Sequence, residues 1–158
     1  MKLKKWFENW ELTKLKVSIG WLETEWQPQE ADRDAAWELY VEMLTRITSQ
    51  PLADTDGVEK TALDSVYALF GITREILRRK GRDCIQFSKI AVIVLNQIVR
   101  PFTAKWHKFA LAETAFGDAE QRQEFRKDLE VLQVDLRKYT KALANIADVE
   151  DLTELAFD

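Results

Sequence analysis

The sequence predicts an all-α protein whose long helices form an antiparallel four-helix bundle. Two observations predict this fold. Apolar residues recur every three or four positions over four long stretches, and short breaks rich in glycine, proline or aspartate separate those stretches. The predicted bundle domain therefore covers residues 29–147, between an aromatic extension at 1–28 and an acidic tail at 148–158.

The aromatic extension is predicted to contain a short amphipathic helix and then an extended segment or single strand. Four apolar side chains with the i, i+3, i+4, i+7 spacing of one helix face predict the helix: Leu3, Trp6, Phe7 and Trp10. Val17, Ile19 and Trp21 alternate with other residues before Pro28, which predicts the strand. Since a lone strand needs a partner, we expect it to lie over the bundle or to pair with another chain.

The first two bundle helices are predicted from their apolar stripes. Helix A begins with an N-cap at Asp32 and ends before Pro51. Its inward stripe is Trp37, Tyr40, Val41, Leu44 and Ile47. A turn-rich connector at 51–57 leads to helix B at about 58–80, which ends in basic residues and Gly81. The inward side chains of helix B are Leu63, Val66, Tyr67, Phe70, Ile76 and Leu77.

The last two bundle helices differ in their patterns. Helix C, at about 83–116, is apolar nearly all round in its middle, which predicts a central position. Helix D begins with a capping box of Asp118 and Gln121. Its heptad seam is Phe125, Leu129, Leu132, Leu136, Tyr139, Leu143 and Ile146. The seam can pack inside the chain or against a second copy, and we favour the inside, because a bundle uses the same pattern for its own core.

Composition limits the classes of function. A chain of 158 residues with 46% hydrophobic content suits one domain, and a net charge of −4 argues against a general nucleic-acid binder. Cys84 is the single cysteine, which excludes an internal disulfide and favours a cytoplasmic location. No secretion signal is expected at the N-terminus, and the apolar run at 90–95 is far below the roughly 20 residues that span a bilayer.

Metal and cysteine chemistry find little support in the sequence. Asp34, Glu38 and Glu42 lie on one helix face, which is more typical of a solvated surface than of a metal site. The single histidine, His107, cannot supply the two Glu-x-x-His pairs that bundles use for dinuclear metal centres. Cys84 lies about 35 Å from His107 along the same predicted helix, so neither activates the other. We therefore predict no metal and no cofactor.

Arg100 and His107 are the strongest catalytic candidates. They are seven positions apart, which is two helical turns, so both lie on one face about 10 Å apart. An arginine followed by six residues and a histidine, in an all-helical domain, resembles the HEPN ribonucleases. That resemblance implies metal-independent RNA cleavage at a dimer interface, in which the histidine handles a proton and the arginine stabilises the phosphorane charge. Pro101 departs from the family, which usually has a polar residue there.

A structural role is the alternative for this pair, and we favour it. Pro101 then kinks helix C, and His107 satisfies a freed or neighbouring polar group. Arg100 pairs with a carboxylate of another helix, since a buried arginine is costly without a partner.

A broader resemblance covers roughly residues 16–147. The strings ADRDAAWELYVEMLTRITSQPL, LFGITREILRR and VIVLNQIVRPFTAKWHKFAL together resemble a family of uncharacterised bacterial helical proteins. The resemblance implies a bacterial origin and carries no site residue over. An accessory role in an antiviral defence or stress system is in keeping with it.

The aromatic extension is the predicted partner-binding element, because tryptophan makes strong anchors in protein interfaces. Folding over the chain's own bundle is an equal alternative, and weak contact with a membrane surface is a further one. We predict a non-enzymatic interaction subunit or accessory protein of a bacterial assembly, which binds a protein partner or forms a homo-oligomer. RNA is a partner only in the ribonuclease hypothesis. The predicted partner-binding residues are Trp6, Phe7, Trp10, Trp21 and Trp26.

Overall fold

The computed structural model describes residues 1–46, 58–111 and 116–157. Their elements are α1 Leu3–Asn9, α2 Ile19–Leu22, α3 Glu30–Thr45, α4 Glu59–Lys80, a 3₁₀ turn Gly81–Cys84, α5 Ile85–Val94, a π-helical turn Leu95–Val99, α6 Arg100–Ala110, α7 Ala119–Ala147 and α8 Thr153–Phe157. No strand occurs in these ranges, so the predicted all-α class is confirmed. Ile47, the connector at 51–57, positions 112–115 of helix C and Asp158 lie outside the described residues.

The helices pack around α3. It makes its most extensive contact with α7 and also packs against α4 and α5. Helix α6 contacts both α4 and α7. Of the helices in the described ranges, none combines the length and the apolar composition needed to cross a bilayer.

The predicted strand at 17–21 is wrong. A helical turn, α2, lies there, and the Leu22 N–H donates to the Ser18 carbonyl over 3.1 Å. The only ladder-like pairing in the described extension is an isolated bridge between Lys2 and Glu25. Ahead of α2, the Gln97 side-chain amide donates to the Lys16 carbonyl and accepts from the Lys16 N–H, both over 2.7 Å. One amide side chain thus satisfies backbone groups for which a strand would need a neighbouring strand.

The predicted amphipathic helix of the extension is confirmed as α1, and it packs on the chain's own core. Leu3, Trp6 and Phe7 are buried. The Trp6 ring lies 4.6 Å from the ring of Trp26, and its Nε1 donates to Oδ1 of Asn145 over 2.9 Å. Through this bond the extension is attached directly to α7.

Helix α3 confirms helix A but corrects its N-cap and its inward face. The N-cap is Gln29, and Asp32 stands at the third helical position, where its carboxylate closes a capping box. Trp37 and Val41 are exposed, contrary to the predicted stripe. The buried side chains of α3 are Asp32, Ala35, Ala36, Leu39, Tyr40 and Met43. The prediction failed because it followed the largest apolar side chains, whereas the buried face of α3 also includes small alanines.

Helices α4 to α6 correspond to the predicted helices B and C. Helix α4 is unbroken through Gly71, and Tyr67 is exposed rather than inward as predicted. Helix C is one continuous helical path from Ile85 to Ala110 that includes a π-helical turn directly before Pro101. Proline has no N–H, so a wider turn ahead of it accommodates the carbonyls that lose a donor. Helix C is not buried on every face, since Ile85 and Val92 are exposed.

Helix α7 confirms helix D, and all seven seam residues are buried in the chain's own core. Asp118 is the N-cap and accepts from the Glu120 N–H over 3.0 Å. Gln121 accepts from the Phe116 N–H instead of closing the predicted capping box. Beyond α7, the Tyr40 hydroxyl accepts from the Leu152 N–H over 2.7 Å, which fixes the start of α8 on α3.

Candidate interaction surface

The five predicted partner-binding residues lie in different environments. Trp6, Phe7 and Trp26 are core residues of their own chain, and Trp10 is partly buried against the core. Trp21 remains 47% exposed. Trp21 is therefore the one residue of this set that offers a large surface to a partner in the described conformation.

Trp21 lines an open groove of about 410 Å³ between the segment 16–21 and the outer face of α5. We call it the Trp21 groove. Its lining residues are Lys16, Val17, Ser18, Trp21, Ile85, Ser88, Lys89, Val92 and Ile93. Ile85 and Val92 are 54% and 46% exposed, and the neighbouring Ile19 is 79% exposed. Large apolar side chains at this exposure, gathered at one place, are typical of a binding surface.

The groove follows from the way α5 and α2 meet. Helix α5 buries Phe87, Ile90 and Val94, so positions 85, 89 and 92 lie on its opposite side. On α2, the Trp21 ring turns toward α5, and the Lys89 ammonium lies 4.8 Å from the ring centroid. This cation–π contact holds the indole as one wall of the groove.

The charges along the groove have one sign. Lys16 and Lys89 are its ionisable lining residues, and no carboxylate lines it. Neither lysine forms an ion pair with a described side chain. The surface is thus an apolar floor with uncompensated positive charge at its rim.

Another open groove, of about 550 Å³, lies between α3 and α4 beside Trp37. Three of its four charged lining residues, Glu38, Glu42 and Arg79, are already paired within the chain. Arg79 lies 2.7 Å from the Glu38 carboxylate, and Lys80 lies 3.2 Å from it. The hydrogen bond from Arg79 holds the pKa of Glu38 below its usual value. This groove is more polar and offers less unmet charge to a partner than the Trp21 groove.

Arg100 and His107 lie on the side of α6 that faces α4, and each rests on an aromatic ring. The Arg100 guanidinium lies 4.8 Å from the Phe70 centroid, and its Nε donates to Oδ1 of Asn96 over 3.0 Å. The His107 ring meets the Tyr67 ring edge-on at 4.6 Å. Within the described ranges Arg100 has no ion pair with a carboxylate, so the expected pairing with another helix is not found. Arg100 is exposed and His107 is partly exposed.

The described residues form neither a metal site nor a thiol site for catalysis. Glu38 is ion-paired as described above, and Glu42 lies 2.7 Å from Arg46. No group of three or more histidine, cysteine, aspartate or glutamate side chains with a metal-binding arrangement occurs in the described part of the chain. The Cys84 thiol is buried and lies 3.2 Å from the Gly81 carbonyl, in keeping with a packing role.

Sequence reasoning missed the α5 half of the Trp21 groove. Its signal was the apolar character of helix C on all sides, which we interpreted as a central position. Ile85 and Val92 are seven positions apart, which places them on one helix face. An apolar residue on every face indicates burial only if every face has a neighbour, and this face of α5 has only the edge of segment 16–21.

Comparisons with known proteins assign no relative. No family model matches the chain, and no curated protein and no solved structure matches it significantly. The surfaces of this chain are therefore the basis on which its function is inferred.

Proposed function

We propose that this protein is a non-enzymatic helical interaction protein, a subunit or accessory component of a larger bacterial assembly. It binds a protein partner through the Trp21 groove. The observation that carries the proposal is the exposure of Trp21, Ile85 and Val92 around one apolar groove. Interface centres are enriched in tryptophan and depleted in acidic residues, and this groove has both properties.

The chemistry of the groove favours binding over catalysis. Its polar lining residues besides Trp21 are two lysines and two serines, Ser18 and Ser88, and the Ser88 hydroxyl already donates to the Cys84 carbonyl over 2.7 Å. No histidine or carboxylate lines it to act as a general base. A rigid apolar floor with a charged rim stabilises a bound apolar side chain and selects the charge of the partner.

A photo-crosslinking amino acid at position 85 tests the proposal. Introduced in the cells of origin, it should yield a covalent adduct of one reproducible mass, because position 85 lies in the groove. The same amino acid at position 131 of α7, where an exposed valine likewise stands outside the groove, is the matched control and should yield none. Trp21→Asp should abolish the adduct at 85 while the helical circular dichroism stays unchanged. Equal adducts at both positions would refute the proposal.

We also propose that the four long helical units form an antiparallel four-helix bundle: α3, α4, the continuous α5–α6 path and α7. The contacts of α3 with α7 and α4, and of α6 with α4 and α7, support this arrangement. The bundle would supply the rigid support on which the Trp21 groove is displayed.

A HEPN-like ribonuclease remains the second candidate function, and one observation favours it. Arg100 and His107 lie on the same side of α6, both are accessible, and neither is engaged by a described carboxylate. An arginine free of a carboxylate can bind a phosphate, and the imidazole two turns away can exchange a proton.

Cleavage of single-stranded RNA in the presence of a chelator tests this second candidate. A ribonuclease would lose its activity in Arg100→Ala and in His107→Ala with the fold intact, because each side chain would act in the transition state. Lys108→Ala is the control, since Lys108 is an exposed cation beside the pair. Wild-type protein without cleavage, or variants that cleave equally well, would eliminate the ribonuclease.

A further inference from the structure

We propose that the occupant of the Trp21 groove is the acidic tail of a second copy of this chain. The proposal rests on the proposed function of the groove as an interaction surface and names its partner. The tail, residues 148–158, carries five acidic residues and no basic one. Glu154 pairs with Lys141 of α7, and the other acidic residues give the tail a negative charge that complements the lysine rim of the groove.

The tail also has exposed apolar side chains that suit the apolar floor of the groove. Val149, Leu152 and Leu155 are 38%, 41% and 75% exposed, and they recur every three residues. Among the described side chains, only Leu111 and Ile19 are more exposed large apolar groups than Leu155. Acidic and apolar groups thus alternate along one short segment, and the groove combines an apolar floor with positive charge.

The tail is held in a fixed position, which lowers the entropic cost of docking. The Leu152 N–H donates to the Tyr40 hydroxyl over 2.7 Å, and the Asp151 carboxylate accepts from the Thr153 N–H over 2.9 Å. Burial and the nearby Asp151 charge raise the pKa of Tyr40, so this hydroxyl stays protonated and keeps its role in the network. A segment already ordered in its binding conformation loses little freedom on association.

The same anchoring explains why the occupant comes from another copy. Helix α8 packs on α3 and α7, whereas the groove lies between α5 and segment 16–21. The tail cannot enter its own groove without losing the Tyr40 and Asp151 contacts. Because groove and tail are different surfaces, two copies can exchange tails in a twofold pair. Alternatively, a head-to-tail contact closes into a larger ring or extends as a chain.

Light scattering of the full chain with single-site variants tests the contact. Wild-type protein at micromolar concentration should have a mass above that of one chain. Ile85→Asp in the groove and Leu155→Asp in the tail should each weaken the association at least about tenfold, because each places a charge where an apolar side chain is buried. Val131→Asp is the matched control, since Val131 is 66% exposed on α7, outside both surfaces, and it should associate like wild type.

Charge-reversal variants test the pairing between the groove lysines and the acidic tail. Lys16→Glu with Lys89→Glu should weaken association, and raised salt should weaken it in the wild type. Lys127→Glu, an exposed lysine on α7, is the control and should have no effect.

Mixing the two apolar-to-acid variants gives the decisive measurement. Ile85→Asp keeps an intact tail and Leu155→Asp keeps an intact groove, so their mixture should form a one-to-one dimer at a concentration at which each variant alone is monomeric. A monomeric wild type would overturn the inference. A Leu155→Asp variant that associates like wild type would also overturn it. In that case a crosslink at position 85 would still support the proposed function, with a different protein in the groove. Sedimentation of a monomeric wild type with phosphatidylserine vesicles, lost in Ile85→Asp, would overturn both the inference and the proposed function.

Discussion

At the scale of single residues, Asp32 joins two helix starts that are far apart in the sequence. One carboxylate oxygen accepts from the Gln29 N–H over 2.7 Å, and the other accepts from the Phe87 N–H over 2.8 Å. The side chain is fully buried. A buried carboxylate is tolerated where backbone N–H groups at helix N-termini bond both oxygens. The sequence located Asp32 near the start of a helix, but only the structure supplied the partner on α5.

Replacing Asp32 should therefore cost more than losing an ordinary helix cap. Asp32→Ala leaves the buried Phe87 N–H and the partly buried Gln29 N–H without this partner, and we expect the free energy of unfolding to fall by about 2 to 4 kcal/mol. Urea denaturation followed by circular dichroism measures this. Asp34→Ala is the control: its carboxylate lies 3.8 Å from Lys80 at the surface, and its loss should cost less than about 0.5 kcal/mol. Equal costs for the two variants would show that Asp32 does not join the helices.

Tyr139 allows a prediction on pH dependence. Its hydroxyl is buried without a hydrogen-bond partner among the described atoms, and burial raises the pKa of Tyr139 above its usual value. Below about pH 9, Tyr139→Phe should be neutral or up to about 1 kcal/mol more stable, since it removes an unpaired buried polar group.

Above about pH 10 the sign of the pH effect follows from proton binding. The unfolded chain loses the Tyr139 proton while the folded chain keeps it, so the unfolded state binds fewer protons and the free energy of unfolding falls as the pH rises. The fall should be smaller in Tyr139→Phe. Lysines contribute to both proteins, so the difference between their pH profiles isolates Tyr139. Identical profiles would mean that the hydroxyl has a partner or reaches solvent.

At the scale of the elements, helices α4 and α7 follow their sequence patterns most closely. The heptad seam of α7 is buried at every position because a helix with one apolar stripe has one way to remove it from water. Helix α4 continues through Gly71, which lies at an exposed position. Faces of α3 and α5 were assigned incorrectly, since both carry apolar side chains on more than one side.

The two described glycines next to and within α4 should respond oppositely to alanine. A Cβ at Gly71 meets no atom within 4 Å, so Gly71→Ala should stabilise the helix by about 0.5 to 1 kcal/mol. Gly81 has a φ of +73°, so Gly81→Ala should destabilise the protein by about 1 kcal/mol or more. Thermal unfolding of both variants gives the comparison. A loss of stability in Gly71→Ala would show that the groove beside α4 requires a bare backbone.

At the scale of the whole molecule, the extension belongs to the core of the chain. Trp6 contacts Trp26 within the extension and donates to Asn145 near the end of α7. Residues 1–28 and α7 should therefore unfold together, in one cooperative transition.

Trp6→Ala tests whether the extension and α7 unfold together. It removes a large side chain that is only 2% exposed, and we expect a loss of about 3 to 5 kcal/mol in the free energy of unfolding. Trp37→Ala is the control, because Trp37 is 47% exposed and its removal should cost about 1 kcal/mol or less. Unfolding curves from tryptophan fluorescence and circular dichroism should coincide. A Trp6→Ala variant that keeps wild-type stability would mean that the extension is an independent arm.

The sequence by itself determined the all-α class, the approximate span of each long helix and the inward face of α7. These follow from local propensity and from patterns within one helix, which neighbours do not alter. The tertiary structure decided the rest: the helical turn Ile19–Leu22 in place of the predicted strand, the attachment of Trp6 to α7, the exposure of Trp21 beside Ile85 and Val92, and the aromatic supports of Arg100 and His107. Each of these depends on side chains far apart in the sequence. A periodic pattern indicates which faces of a helix are apolar, but it does not indicate which of those faces pack against another element.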